Sequence, residues 1–507
     1  MFLKEKSEAN IKRYYYIGFI VLAVAIIAIV LFKYPQPGVA DQGDYDRIMV
    51  TSGLTLLDSD INNPDFIRFY DYTVTDYKIS SNIVNLFLTI IGSSLGYLIV
   101  IISRVCKIFG QEVFKTQYLA VVYSVVYIFS LSTIFRNLNL KGKFKNIFLG
   151  CLFLFVFLDG NYLRWFNTLY GEPMMIASLL LFIAAFLSYT NYKYVQGKEE
   201  EIGKKILYVI IAAFIFLGSK MQVLTSLPFI IILITKILWD NRKLLERKRL
   251  LQLIILLCVV IIYPIQMNIQ NKGISRDTNY NSVFYGVLNG SENPEQDLID
   301  LGLNPDMAVE AGKTAYESDE KYVKYAPRTK LAETEFYSKI SNGKLAKFYL
   351  THLGRLIDGM EYTAGKAFAT STSLGVYSRE YSEKPIEEFD RFTIWSSFRE
   401  KNFVGDLWFI LSVVLIIFMA SVYKYIKSKE NLEIKNKILL LWGVMLIGGI
   451  QFPMPFVGNG RADTAKQLFL FNFVFDILIV ILITTIIYKV YDFVMYKLKE
   501  QKHNEGV

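Results

Sequence analysis

The sequence predicts an all-α polytopic membrane protein with about ten transmembrane helices, an interfacial helix in its first external loop, and a larger external-loop subdomain. Three observations carry this prediction. Apolar residues gather in blocks of about 17–22, the length that crosses a hydrocarbon core. The chain is 53% hydrophobic but only 20% charged, with a mean hydropathy of +0.34. Lysine and arginine cluster between the apolar blocks, where cytoplasmic loops of membrane proteins carry them. Those loops account for the net charge of +9, so a nucleic-acid partner is not expected.

The first block, within MFLKEKSEANIKRYYYIGFIVLAVAIIAIVLF, reads as an uncleaved anchor. Its apolar core is longer than a signal-peptide core, although PGVA downstream ends in small residues. Lys4, Lys6, Lys12 and Arg13 hold that end in the cytoplasm, so Asp44 faces outward. The next apolar stretch, 81–102, passes for a span by hydropathy alone. Gly92, Ser93, Ser94 and Gly96 interrupt it, however, and Arg104 and Lys107 follow at a spacing suited to the headgroups. We read 93–109 as an amphipathic helix on the outer surface.

Further spans follow at 118–135, 146–160, 173–190, 206–219, 222–239, 250–268, 403–424, 438–453 and 467–488. This threading places the basic stretches Arg136–Lys145, Asp240–Leu250 and Lys427–Lys437 inside, together with the lysine-bearing C-terminus. It divides the chain into three parts. Residues 1–268 form an N-terminal transmembrane module with a first external loop at 34–117 and a second at 160–172. Residues 269–402 are too long for a connector and fold as an external subdomain with an amphipathic helix over Thr334–Met360. Residues 403–507 supply the C-terminal helices and an external loop at 453–467.

Cysteine and histidine offer little chemistry. Cys106, Cys151 and Cys258 lie in or beside apolar blocks without a CxxC spacing, and the two histidines are His352 and His503. The unusual charge sits on the outer side instead. GVADQGDYDRIM packs Asp41, Asp44, Asp46 and Arg47 where the chain leaves the membrane, and Asp44 or Asp46 suits a helix cap there. In RWFNTLYGEPMM, Glu172 precedes Pro173 at a helix start, a place that also favours a carboxylate through the helix dipole. QFPMPFVGNGRADTAKQLFLFN adds Arg461 and Lys466, and LGSKMQ adds Lys220. External cations run against the usual bias; they hold an anionic group or snorkel to lipid phosphates. A carboxylate takes a proton from an attacking hydroxyl, and cations neutralise a phosphate leaving group. Outside the cell, that pairing suits a sugar whose phosphate is anchored to a membrane lipid.

The order of anchor, GDYDR, interfacial helix SLGYLIVIISRVCKIFG, span, basic turn, span and YGEP resembles the GT-C glycosyltransferases. NTLYGEPMM, FTIWSSFREKNF and GNGRADTAKQLFLFN resemble a bacterial subgroup of hexosyltransferases of cell-surface glycan synthesis. The resemblance implies a GT-C type fold and an inverting transfer of a sugar, a hexose, from a polyprenyl-phosphate donor. The acceptor is a cell-surface glycan, cell-wall polymer or protein on the outer face of the bacterial cytoplasmic membrane, with both termini cytoplasmic. It makes Asp44 the general base, with Asp46 as the alternate and Arg47 orienting either. It makes Glu172 the second-loop acid, which binds a metal or positions substrate. A single Glu replaces the DxD or DxE of metal-dependent relatives, so a divalent metal (Mg or Mn) is left open, with Glu172 and Asp44 as its ligands. Charge and position make Arg461, Lys466 and Lys220 donor-phosphate ligands. Trp165, Tyr170 and Trp395 are candidates to stack on sugar rings. Two other classes share the outline: a lipid-linked glycan flippase or transporter, and an O-antigen-type polymerase or ligase. A transporter needs charge within its spans, where Asp476 is the main exception to an apolar pattern.

Overall fold

The computed structural model describes residues 2–80, 88–270 and 275–505. It is an all-α polytopic membrane protein. The apolar blocks form α1 (Phe2–Ile27, continued by a π turn over Ala28–Phe32), α4 (Thr116–Asn137), α5 (Lys143–Phe157), α6 (Glu172–Tyr194), α7 (Ile202–Leu217), α8 (Leu227–Asn241), α9 (Arg247–Gln270), α10 (Leu407–Lys427), α11 (Leu432–Gln451) and α12 (Phe469–Glu505). Between α1 and α4 lie α2 (Tyr45–Ser52) and α3 (Ser94–Ile108). Among the described residues eight helices are long and apolar enough to cross a membrane; a ninth arises if α5 and its bent continuation Gly160–Asn167 count as one. The predicted span at 206–219 corresponds to α7, only 16 residues long. That is about 24 Å at 1.5 Å per residue, short of a ~30 Å core. α6 is the centre of the bundle, buried on all its faces, as expected for a helix that is apolar all round.

The helices share two ends. At one end the starts of α4, α6 and α12 meet the chain that leaves α1. At the other, Lys145 pairs with Asp492 of α12 at 2.7 Å, and Lys193 donates to Asn241 at 2.6 Å. The basic stretches after α4 and α8 therefore share an end with the far part of α12.

The stretch 81–102 is interrupted where its small residues lie; positions 81–87 are outside the described residues. Gly92 and Ser93 separate a short helical turn from α3, and Ser93 Oγ accepts from the Gly96 amide at 3.4 Å. Ser94 is bonded to the end of α7 through its amide (Gly218 O, 2.8 Å) and its hydroxyl (Ile215 O, 2.8 Å). α3 buries Leu95, Ile99, Ile102 and Cys106 and exposes Ile101, Arg104, Val105 and Ile108. Both faces are apolar in part, which suits a helix lying between protein and lipid.

The first loop is tied at both ends by an antiparallel sheet of order β1 (Leu54–Thr55), β2 (Asp76–Ile79), β3 (Val113–Lys115). It is also clamped by the chain before α10: Gly38 and Ala40 amides donate to Val376 and Gly375 carbonyls, each at 2.8 Å. Within 269–402, Tyr280, Phe284, Leu298, Met307, Phe336 and Phe348 build a second apolar core, joined by Phe456 from the 453–467 loop. The single helix predicted over Thr334–Met360 is instead three pieces: Glu333–Tyr337, Asn342–Thr351 and Leu353–Lys366. Ser341 ends the first by capping the second, accepting from Lys344 N at 3.3 Å, and His352 breaks the chain again with a non-helical ψ of 65°.

Asp476, the charge expected to stand out in the last span, is fully buried and matched. Its Oδ2 accepts from Arg399 at 2.5 Å and from Tyr162 at 2.7 Å. Trp395 does not face a sugar: it is 4% exposed, packed among Phe155, Phe398 and Phe403, because its helix Ile394–Asn402 also delivers Arg399 inward.

Candidate active site

The turn that carries Asp44 is built by its neighbour. Asp41 Oδ1 accepts from the Gly43 amide at 2.7 Å and the Tyr45 amide at 3.2 Å, so Asp41 caps the start of α2. Gly43 allows this bend by adopting φ +102°, which a side chain would resist. Asp44, at the cap position, makes no capping bond. The capping role expected of Asp44 or Asp46 falls to Asp41, and Asp44 is released to face other groups. Asp46 turns to Arg68 at 2.6 Å, and Arg68 also reaches Asp41 at 3.2 Å.

Asp44 meets cations from both ends of the chain. Lys466 Nζ lies 2.8 Å from its Oδ2, and Arg47 bonds its Oδ1. Lys466 also donates to Gln42 Oε1 at 2.9 Å and lies 5.1 Å from the centre of the Tyr170 ring. Gln42 completes the bridge by donating to Asp463 at 2.6 Å. Tyr170 hydroxyl donates to Ala40 O at 2.8 Å and accepts from the Gln42 amide at 2.9 Å, fixing the strand on which these groups hang. Trp165 is 2% exposed and packs edge-on against Tyr170, so it supports the ring from behind.

A second pair stands beside the first. Glu172 opens α6 ahead of Pro173 and is fully buried, with Oε1 2.5 Å from Lys220 Nζ. Among the described residues its Oε2 has no hydrogen-bond partner. Gly171 makes the approach possible: a Cβ there would lie 3.1 Å from Ser219 O and 3.4 Å from the Lys220 side chain. Asp44, Arg47, Tyr170, Glu172 and Lys220 line one cavity of about 120 Å³, whose remaining wall includes Ile48, Leu95, Met221 and Met267.

The charges set each other's protonation. Burial pushes the Asp44 carboxyl up, but Lys466, Lys220 and Arg47 outweigh it and hold the group well below the usual carboxylate range. Burial alone would lower the Lys466 ammonium; Asp44, Glu172 and Asp463 together raise it above an ordinary lysine. Burial, then Asp44, Asp41 and Glu172, push the Tyr170 phenol far above its ordinary value, so it remains a donor.

Arg461 is placed differently. Its guanidinium lies 5.0 Å from the Tyr362 ring centre, its carbonyl accepts from Tyr362 at 3.0 Å, and its charge falls on Tyr349. The fold thus gathers Asp44, Arg47, Tyr170, Glu172, Lys220 and Lys466, and directs Arg461 to the second core. Gln42, Asp41, Arg68 and Asp463 were not singled out by sequence as site residues. The Asp-x-Gly spacing of Asp41 and Gly43 was the one legible sign of them.

A divalent metal does not fit this donor set. Glu172 and Asp44, its expected ligands, each face a lysine ammonium, Lys220 and Lys466. Among the described residues no group of three His, Cys, Asp or Glu gathers that could hold one.

No curated protein and no solved structure matches the chain. The family model for the YfdI N-terminal transmembrane domain matches residues 4–506. A chain matched over almost its whole length, with apolar helices that converge on paired acids and lysines at one end, belongs to the YfdI N-terminal transmembrane domain family, a family of GT-C-like membrane glycosyltransferases.

Proposed function

We propose that the protein transfers a sugar, a hexose, from a polyprenyl-phosphate donor to a cell-envelope glycan or protein acceptor. The transfer takes place at the outer face of the bacterial cytoplasmic membrane. One observation carries the proposal: Asp44, Glu172 and Lys220, drawn from three distant segments, line one small cavity at one end of the bundle, and Lys466 from a fourth pairs with Asp44 at its wall. The positive-inside distribution supports the orientation, since the basic stretches lie at the opposite end.

The donor phosphate lies against Lys220, Lys466 and Arg47. Arg461 is left out of that set because its guanidinium rests on Tyr362. Asp44 starts ionised, held so by the same cations that meet the phosphate. Once they turn to the phosphate, the carboxylate loses counter-charge and gains proton affinity. The acceptor hydroxyl then attacks the anomeric carbon, its proton passing to Asp44 while the bond from that carbon to the phosphate oxygen breaks. The lipid phosphate leaves with the electron pair, and the configuration inverts in a single displacement. Glu172 keeps Lys220 in place for the departing charge. No step passes through a metal.

A transporter needs charge along a path through its spans. Asp476 does not offer one, since its Oδ2 is committed to Arg399 and Tyr162. The test of the transferase proposal is Asp44→Asn assayed with a polyprenyl-phosphate sugar. Transfer is expected to fall about 10²–10⁴-fold, the usual contribution of a general base, with the folded yield unchanged. Transfer at the wild-type rate overturns the proposal.

A further inference from the structure

A second and larger cavity, about 400 Å³, lies among α4, α5, α6, α11 and α12. Its wall is almost entirely aliphatic and aromatic, with Phe153, Ile183 and Val444 among its lining residues. It sits far from Asp44. Along α6, the lining residues Leu180 and Leu187 lie about 12 and 22 Å beyond Glu172 at 1.5 Å per residue.

Native interiors hold few voids larger than a water molecule, and the cost of leaving one vacant grows with its volume. Water is a poor occupant, because an apolar wall offers it few partners. At about 30 Å³ each, the share of a water in the liquid, roughly a dozen methylene groups fill the space. That is most of one lipid chain. The end of the cavity away from Asp44 is marked by Lys437 and Tyr488, and Lys145 Nζ lies 5.3 Å from the Tyr488 ring centre. Lys145 and Lys437 each pair with one acid, Asp492 and Glu433, and each ammonium has donors beyond that bond. Lys141 and Lys143 stand exposed just before Lys145. Basic side chains beside a slot between transmembrane helices suit an anionic lipid headgroup.

We propose that this cavity is a binding site for one acyl chain of an anionic phospholipid, taken from the leaflet opposite the Asp44 site, with its headgroup phosphate between Lys145 and Lys437. The site is independent of the transfer chemistry, and its occupant is a resident lipid, since the donor phosphate belongs at the other end of the bundle.

The test is native mass spectrometry with lipid extraction on the full chain purified from phosphatidylglycerol-containing membranes. One phosphatidylglycerol per chain is expected to survive delipidation. Val444→Trp places an indole in the cavity, obstructs the path of a chain through it and is expected to reduce that retention at least tenfold. Should that variant fail to fold, the wild type and Lys145→Ala/Lys437→Ala decide the matter in nanodiscs. There, adding phosphatidylglycerol to phosphatidylcholine is expected to raise the wild-type unfolding midpoint and to leave the double variant where it was. Absence of retained phospholipid, equal retention by Val444→Trp, an equal response of the double variant, or polyprenyl phosphate as the lipid that Val444→Trp expels would each overturn the proposal.

Discussion

Lys466 and Asp476 flank the start of α12, and each meets an oppositely charged group from a distant part of the chain. Their surroundings differ. The Asp476 side chain is fully buried and that of Arg399 is 4% exposed, with Tyr162 hydroxyl bridging them; the cavity that Tyr162 and Arg399 line, which Lys466 also borders, is only about 20 Å³. The Asp44 side chain keeps 26% of its surface and Arg47 keeps 44%, and both border the cavity shared with Glu172 and Lys220. The closed pair fastens the 269–402 segment to the last span. The open cluster keeps Arg47 and Lys220 within reach of an incoming anion, with the buried Lys466 behind Asp44. An ion pair in this fold becomes a candidate for chemistry through access, since charge alone is common to both.

The largest expected effect sharpens this contrast from the closed side. Asp476→Ala leaves the Arg399 guanidinium buried without its counter-charge, a change that typically costs about 3–5 kcal/mol. Thermal unfolding in detergent should show a much lower midpoint, while the protein that remains folded transfers sugar at the normal rate per molecule. A wild-type midpoint would mean that the pair does not hold the loop, and the contrast would fail.

From the open side, Lys466→Met should lower stability less than Asp476→Ala, since Arg47 and Lys220 still face the partly exposed Asp44, and reduce transfer by about 10²–10³-fold, the usual effect of losing one transition-state donor. Its pH signature is specific. Lys466 is one of the cations that depress the Asp44 carboxyl, so removing it raises that group. The acid limb of kcat/KM therefore moves to higher pH in the variant. Stability follows the same sign: the contribution of Asp44 is full above the unfolded value of about 3.9 and is lost as pH falls through the lower folded value. In Lys466→Met that loss begins at higher pH. An unmoved acid limb would show that Asp44 is not the titrating base.

What could be read from sequence follows from how local each signal is. The spans are legible because membrane crossing is written in a single run of residues, and the break at Gly92 and Ser93 is legible for the same reason. The acids and cations of the site are individually visible because charge at a span end is conspicuous. Their pairing is not visible. More than four hundred residues separate Asp44 from Lys466, and nothing near Lys466 says that it, and not Arg461, will reach the carboxylate. Trp395 is illegible for a related reason: an aromatic near a loop looks alike in sequence whether it faces a sugar or packs beneath Phe398 and Phe403. The amphipathic period of Thr334–Met360 continues across Ser341 and His352, where the backbone turns, so a pattern that reads as one helix folds as three.

Arg461 offers the smallest effect and the finest discrimination. By sequence it and Lys466 are equivalent, two cations of one external loop set before the same span. In the fold the loop divides them. Asp463, at φ +52°, turns the chain between them, so that Lys466 faces Gln42 and Asp44 while Arg461 lies over Tyr362 of the Leu353–Lys366 helix. A cation over an aromatic ring at a partly exposed site contributes about 0.5–1 kcal/mol. Arg461→Ala should therefore lower stability by about that much, through looser docking of the 453–467 loop on that helix, and leave donor KM at the wild-type value. Chemical unfolding together with donor titration separates the two roles. A raised donor KM at unchanged stability would return Arg461 to the phosphate site and place the open cluster on both sides of the turn at Asp463.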